Sequence, residues 1–274
     1  MKKLISYIYL CLLLIGCQSE TNLNEKHESV KHSDLSTEQQ PKQTKQNQEE
    51  KNKYVERDNE DDVQATHRVD EHNWYIRPLN EKANERVVLL TIDDAPDQYA
   101  LEMAYMLKEQ NAGAIFFVNG HFLETKEQKE ILKQIHQMGF VIGNHTYSHA
   151  RLPDISEEKQ REEIIRVNDI VEEITGERPT FFRAPFGANT DFSKQVVAEE
   201  NMIIMNWSYG YDFLPEYMEK AKLTHIMLET EFLNNGANLL MHDRKWTKEA
   251  LEDIVIGLRE KGYEILAPHY LQVK

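Results

Sequence analysis

The chain has 274 residues, with 32 Lys and Arg against 47 Asp and Glu and a formal net charge of −15. That balance, without any basic stripe interleaved with aromatics, argues against a nucleic-acid partner and against attraction to anionic surfaces. The only two cysteines, Cys11 and Cys17, lie at the start, so the remainder must fold without disulfides and without a Cys-based structural zinc site.

Residues 1–16, "MKKLISYIYLCLLLIG", combine two early lysines with an apolar run too short for a comfortable transmembrane helix, the pattern of an export signal. With the next residue, the stretch "LIGC" resembles a bacterial lipobox. The resemblance implies cleavage before Cys17 and a diacylglycerol on it. Cys17 is then a lipidated N-terminus, which anchors the chain to the extracellular face of the bacterial cell membrane. Residues 17–69 are dominated by Glu, Lys, Gln, Asn and Ser. With so little to bury, they cannot offset their conformational entropy and are expected to form a disordered tether. A flexible coil of roughly 50 residues spans about 40 Å root-mean-square, far enough to carry a domain into the cell wall.

The folded domain is expected over residues 70–274. Seven short apolar segments read as strands: 86–92, 114–118, 140–143, 180–184, 202–205, 238–241 and 263–266. They are apolar without alternation, as strands buried on both faces are. Helix-length segments with apolar residues at three-to-four spacing lie between them, at 97–110, 125–139, 156–176 and 247–262. Thr125 and Ser156 are placed as N-caps, and Gly139, Gly176 and Gly262 as stops. The alternation predicts an α/β fold with a parallel sheet, and about seven strands suggest a distorted (β/α) barrel rather than eight regular units.

Polar groups cluster where these strands end, which is where parallel α/β folds gather their chemistry. The first strand runs into Asp93 and Asp94, the third into His145 and His149, the fourth into Arg183. The fifth leads to Asp212 and the sixth to His242 and Asp243. Each group alone has a plain explanation: Asp-Asp before a proline can cap a helix, and a histidine can simply pack. Their coincidence at one end of successive strands is harder to explain that way. Two imidazoles four residues apart, on a helical turn or a tight loop, can share an ion. Two His and one carboxylate leave positions open for water and substrate, as catalytic zinc sites do. The other aspartate of the pair would lie beside those positions, able to act as general base. Spacing does not say which aspartate does which.

"TIDDAP", "NHTYSH", "RAPFG", "NWSYGYDF" and "NLLMHD", in this order, resemble the five motifs of the polysaccharide deacetylase family, the NodB-homology domain of carbohydrate esterase family 4. The resemblance covers about residues 85–270. It implies a distorted barrel that removes acetyl groups, mostly N-acetyl, from polymeric sugars. It makes Asp93 the catalytic base and Asp94, His145 and His149 the ligands of a divalent metal, usually zinc, with cobalt or a related ion able to serve. Arg183 orients Asp93, the backbone N–H near Phe186 helps hold the oxyanion, His242 is the general acid and Asp212 orients it. Phe213 and Leu240 line the acetyl pocket.

This chain has Ala95 where the family often has Gly, and Phe213 where it commonly has Trp. The expected substrate is acetylated surface glycan, either peptidoglycan N-acetylglucosamine or a secreted poly-N-acetylglucosamine, and no obligate protein partner is called for. An O-acetyl esterase on a similar glycan and a glycan-binding lipoprotein with lapsed catalysis are the competing expectations.

Overall fold

The computed structural model describes residues 64–273. The expected signal segment, Cys17 and the tether as far as residue 63 lie outside the described residues. Among the described residues, nine strands and six α-helices follow in chain order: β1 (His67–Val69), β2 (Ile76–Pro78), β3 (Val87–Ala95), α1 (Ala100–Glu109), β4 (Ala114–Val118), α2 (Lys126–Gln137), β5 (Val141–Asn144) and α3 (Glu157–Thr175). Then come β6 (Phe181–Phe182), α4 (Asp191–Glu199), β7 (Ile203–Ile204), α5 (Lys220–Glu229), β8 (Ala237–His242), α6 (Lys245–Glu260) and β9 (Glu264–Ile265).

Each of the seven strand segments expected from the sequence overlaps one of these strands, β3 to β9, with β3, β5 and β8 running one to three residues further. They form one sheet in the order β7-β6-β5-β4-β3-β8, with β9 paired to the start of β3. All the pairings within it are parallel, and the sheet curls into a half-barrel. The continuous apolar runs have the cause inferred for them. Alternate residues of β3 serve two separate clusters: Val88, Leu90 and Ile92 pack with the helices, while Val87 and Leu89 face an inner cluster with Ile115, Phe117, Phe181 and Met205. β7 departs from the pattern, since Ile203 and Ile204 are only partly buried at the sheet edge.

The helix punctuation is also as expected. Thr125 makes a capping box with Gln128, Ser156 accepts from the Lys159 N–H, and Gly176 ends α3 in the left-handed conformation at φ 83°. The ordered domain begins earlier than Asp70. β1 pairs with β2 in a separate antiparallel pair, and Val69 and Ile76 are buried with Val87, Leu266 and Leu271. A three-residue strand is too short to show a period, and its polar neighbours place it with the tether by composition.

The sheet register is what positions the site. Asp93 on β3 lies opposite His242 on β8, Ala95 opposite Val118 on β4, Val118 opposite Asn144 on β5, and Asn144 opposite Phe182 on β6. Asp93, His145, Arg183 and His242 are therefore brought to one end of the half-barrel by backbone pairing alone.

Candidate active site

Arg183 is the largest fully buried side chain of the domain. Its guanidinium donates to Asp93 Oδ1 (2.6 Å), Thr91 Oγ1 (2.7 Å) and the carbonyls of Met205 (2.9 Å) and Asn206 (2.8 Å). It also stacks over the Phe117 ring at 4.2 Å. Four acceptors satisfy a charge that could not otherwise be removed from water. Burial pushes the Asp93 carboxyl above the usual aspartate range, against the opposing pull of Arg183 and His242.

Asp94 turns the other way, with φ 58°. Its Oδ1 is buried without a hydrogen-bond partner and lies 3.4 Å from His149 Nε2 and 3.8 Å from His145 Nε2. Ligand atoms of Asp94, His145 and His149 all fall within 4.8 Å of one another. An orphaned carboxylate oxygen facing two imidazole nitrogens is costly unless something positive sits between them. The donor set fits a divalent cation. The His145 Nδ1 is engaged by the Arg183 carbonyl at 2.7 Å, which leaves Nε2 for an ion. Burial pushes His145 down to about 3, so it stands neutral, as a ligand must.

The two histidines sit on an irregular loop rather than a helical turn, because Thr146 (φ 67°) and His149 (φ 59°) are both left-handed. With Asp94 and Phe186 (φ 61°), four non-glycine residues around the site hold this conformation, each at about 1–2 kcal/mol. The loop is clamped by neighbours that sequence reasoning did not single out. Asn119 donates to the carbonyls of His145 (2.6 Å) and Thr146 (3.3 Å), and the His121 N–H to that of Tyr147 (2.9 Å). Gly120 is required here: a Cβ on it would lie 2.1 Å from the Tyr147 ring.

On the other side, His242 Nδ1 meets Asp212 Oδ1 at 2.7 Å, which leaves Nε2 free to act. Asp212 is fully buried. Its Oδ2 accepts from the His242 N–H and from Thr247, and its carbonyl from the Trp246 indole. Burial opposes charging of His242, but the charge and hydrogen bond of Asp212, with Asp93 and Asp94 beyond, outweigh it and push the imidazole up to about 9. Phe186 and Phe213 are the exposed aromatic rims, 66% and 47% accessible. Their rings stand edge-on to His149 and His242, at 5.0 and 5.9 Å between centroids. Leu240 is buried two residues before His242, on the same face of β8.

The residue after His242 has a structural task that the motif concealed. The buried Asp243 carboxylate accepts four successive backbone N–H groups, those of Asp97 (2.7 Å), Gln98 (3.1 Å), Tyr99 (2.6 Å) and Ala100 (3.1 Å). It caps α1 from just beyond the end of β8, so neither Asp93 nor Asp94 is used as a cap. Asp243→Ala is expected to lose about 2 kcal/mol of stability in denaturant unfolding, the upper range for removing a cap.

Fold and site together define a parallel α/β half-barrel in which an Asp–Arg pair and a His–Asp pair accompany an Asp-His-His donor set. Residues 80–203 match the polysaccharide deacetylase family. The peptidoglycan-N-acetylglucosamine deacetylase of Bacillus cereus is 32% identical over 195 residues, 69% of each chain. The peptidoglycan-N-acetylmuramic acid deacetylase PdaC of Bacillus subtilis is 27% identical over 191 residues, 69% of this chain but 39% of its own. Among solved structures, a CE4 family pseudoenzyme from Bacillus anthracis superposes with a TM-score of 0.60 at 27% identity, covering 66% of this chain and 63% of its own. A mutant of it with restored enzymatic activity gives the same score at 29% identity, covering 66% and 65%. The chain belongs to the polysaccharide deacetylase family.

Proposed function

We propose that this protein is a metal-dependent deacetylase that removes N-acetyl groups from N-acetylglucosamine-containing cell-wall polysaccharide, peptidoglycan first. The observation that carries this is a buried carboxylate and a charged histidine, paired across adjacent strands, beside one donor set. Asp93 is held by Arg183 at 2.6 Å and His242 by Asp212 at 2.7 Å, and the donor set of Asp94, His145 and His149 adjoins Asp93, whose Oδ2 lies 3.6 Å from His145 Nε2.

Asp94, His145 and His149 would hold a divalent ion, zinc in our reading, and such an ion would supply Lewis-acid polarisation of the acetyl carbonyl. Asp93 takes a proton from the attacking water as the new C–O bond forms. The carbonyl oxygen gains charge, and in this reading a backbone N–H near Phe186 donates to it. His242 then delivers a proton from Nε2 to nitrogen as the C–N bond breaks, because an amine leaves poorly until it is protonated. One proton is taken and one given, and the products are acetate and a free amine. Phe213 and Leu240 offer apolar surface to the acetyl methyl. In the same proposal Cys17 carries a lipid anchor, and the polar segment that follows it tethers the domain to the extracellular face of the cell membrane, within reach of the wall.

Chelator-treated protein should lose acetate release from N-acetylglucosamine oligomers and from purified peptidoglycan by about 10²-fold or more. Zinc or cobalt should restore it. Release that survives full metal removal would overturn the metal assignment. A second reading, glycan binding without turnover, is raised by the pseudoenzyme relative. The presence here of base, acid and both orienting partners favours catalysis.

A further inference from the structure

Arg244 was not among the residues singled out by motif, yet its Nη2 donates to Asp94 Oδ2 at 2.7 Å. The same guanidinium is fixed at its other end, where Nη1 donates to the Asp243 carbonyl at 2.8 Å and lies 3.7 Å from Asp97 Oδ2. Two consecutive aspartates therefore each have an arginine on one oxygen: Arg183 on Asp93 Oδ1, and Arg244 on Asp94 Oδ2.

We infer that Arg244 is a positioning residue for the metal-ligating carboxylate. It restrains Asp94 so that a single oxygen, Oδ1, is offered between His145 and His149. A carboxylate can otherwise rotate, or present both oxygens to a cation. With Oδ2 occupied, Oδ1 is the buried atom without a partner, 3.4 Å from His149 Nε2. Groups that hydrogen-bond a ligand fix its direction, and their loss commonly weakens metal affinity by about 10–100-fold.

Two effects of Arg244 oppose each other. Its charge repels a cation, while its geometry prepares the ligand. The side chain is 36% exposed, so water screens the charge, whereas nothing screens the loss of direction. Geometry should win. A lysine keeps the charge but cannot reproduce contacts to Asp94 and the Asp243 carbonyl from one planar fork.

The inference rests on the metal reading above, and the test separates the two. Metal-free wild type, Asp94→Asn, Arg244→Gln and Arg244→Lys are titrated with cobalt(II) by visible absorption and with zinc against a competing chelator. Thermal unfolding of each apo protein reports the fold. The expected result is tight binding by the wild type, its loss in Asp94→Asn, and about tenfold or greater weakening in both Arg244 variants. Their cobalt spectra should shift while apo melting stays unchanged. Wild-type affinity in both Arg244 variants, or tighter binding in Arg244→Gln with no change in Arg244→Lys, would overturn the positioning role and leave the metal site standing. A wild type that takes up neither metal would overturn both.

Discussion

Asp93→Asn is expected to lower turnover by about 10²–10⁴-fold, the contribution of a general base. It should also destabilise the domain by about 3–5 kcal/mol. The two losses have different origins. Turnover falls because an amide cannot accept the proton from water. Stability falls because Arg183, fully buried, loses the one carboxylate that balances its charge, while its contacts to Thr91, Met205 and Asn206 remain. Breaking one side of a buried pair leaves the other side without compensation. Single-turnover acetate release and urea unfolding on the same preparation check both parts. A variant with unchanged unfolding and full activity would remove Asp93 from its role.

The second large effect concerns His242. With its imidazole pushed up to about 9, the acid stays protonated through neutral pH, and on the alkaline side amide hydrolysis should fall as pH rises through about 9. Asp212→Asn removes the charge that outweighs burial, so the alkaline limb should move down toward the ordinary histidine value near 6.5. His242→Ala should slow amide hydrolysis by about 10²–10⁴-fold and slow an acetyl ester much less, because an alkoxide needs protonation less than an amine does. Rate profiles on N-acetylglucosamine oligomers and an O-acetyl sugar decide the matter. Equal losses on both substrates would deny His242 the role of acid. A wild type active only on the ester would favour the O-acetyl reading.

Both effects begin at residues the sequence exposes. β3, β4 and β8 lie between two packed clusters, so apart from Thr91 and Asn238 their positions are apolar up to the strand ends, and the first ionisable groups, Asp93 and His242, stand out at once. That is why Asp93, His145, Arg183 and His242 can be found without coordinates. Helix limits such as Thr125 and Gly176 are equally local, since a cap is made by residues three or four apart.

The sequence by itself determined the strand segments, the alternation with helices and the end of the sheet where polar groups gather. The motif resemblance named Arg183 and Asp212 as orienting partners; tertiary structure alone decided the further contacts that hold these groups. Arg244 reaches Asp94 across 150 positions and Asp243 reaches Tyr99 across 144, and both contacts exist because β3 pairs with β8 in one register. Asn119 grips the His145 loop only because β4 and β5 end side by side. β1 has its place only through its partners β2 and Leu271. Local propensity acts over a few residues and leaves a record in the pattern. A hydrogen bond between distant strand ends leaves none, because its partners become neighbours only after the sheet has formed.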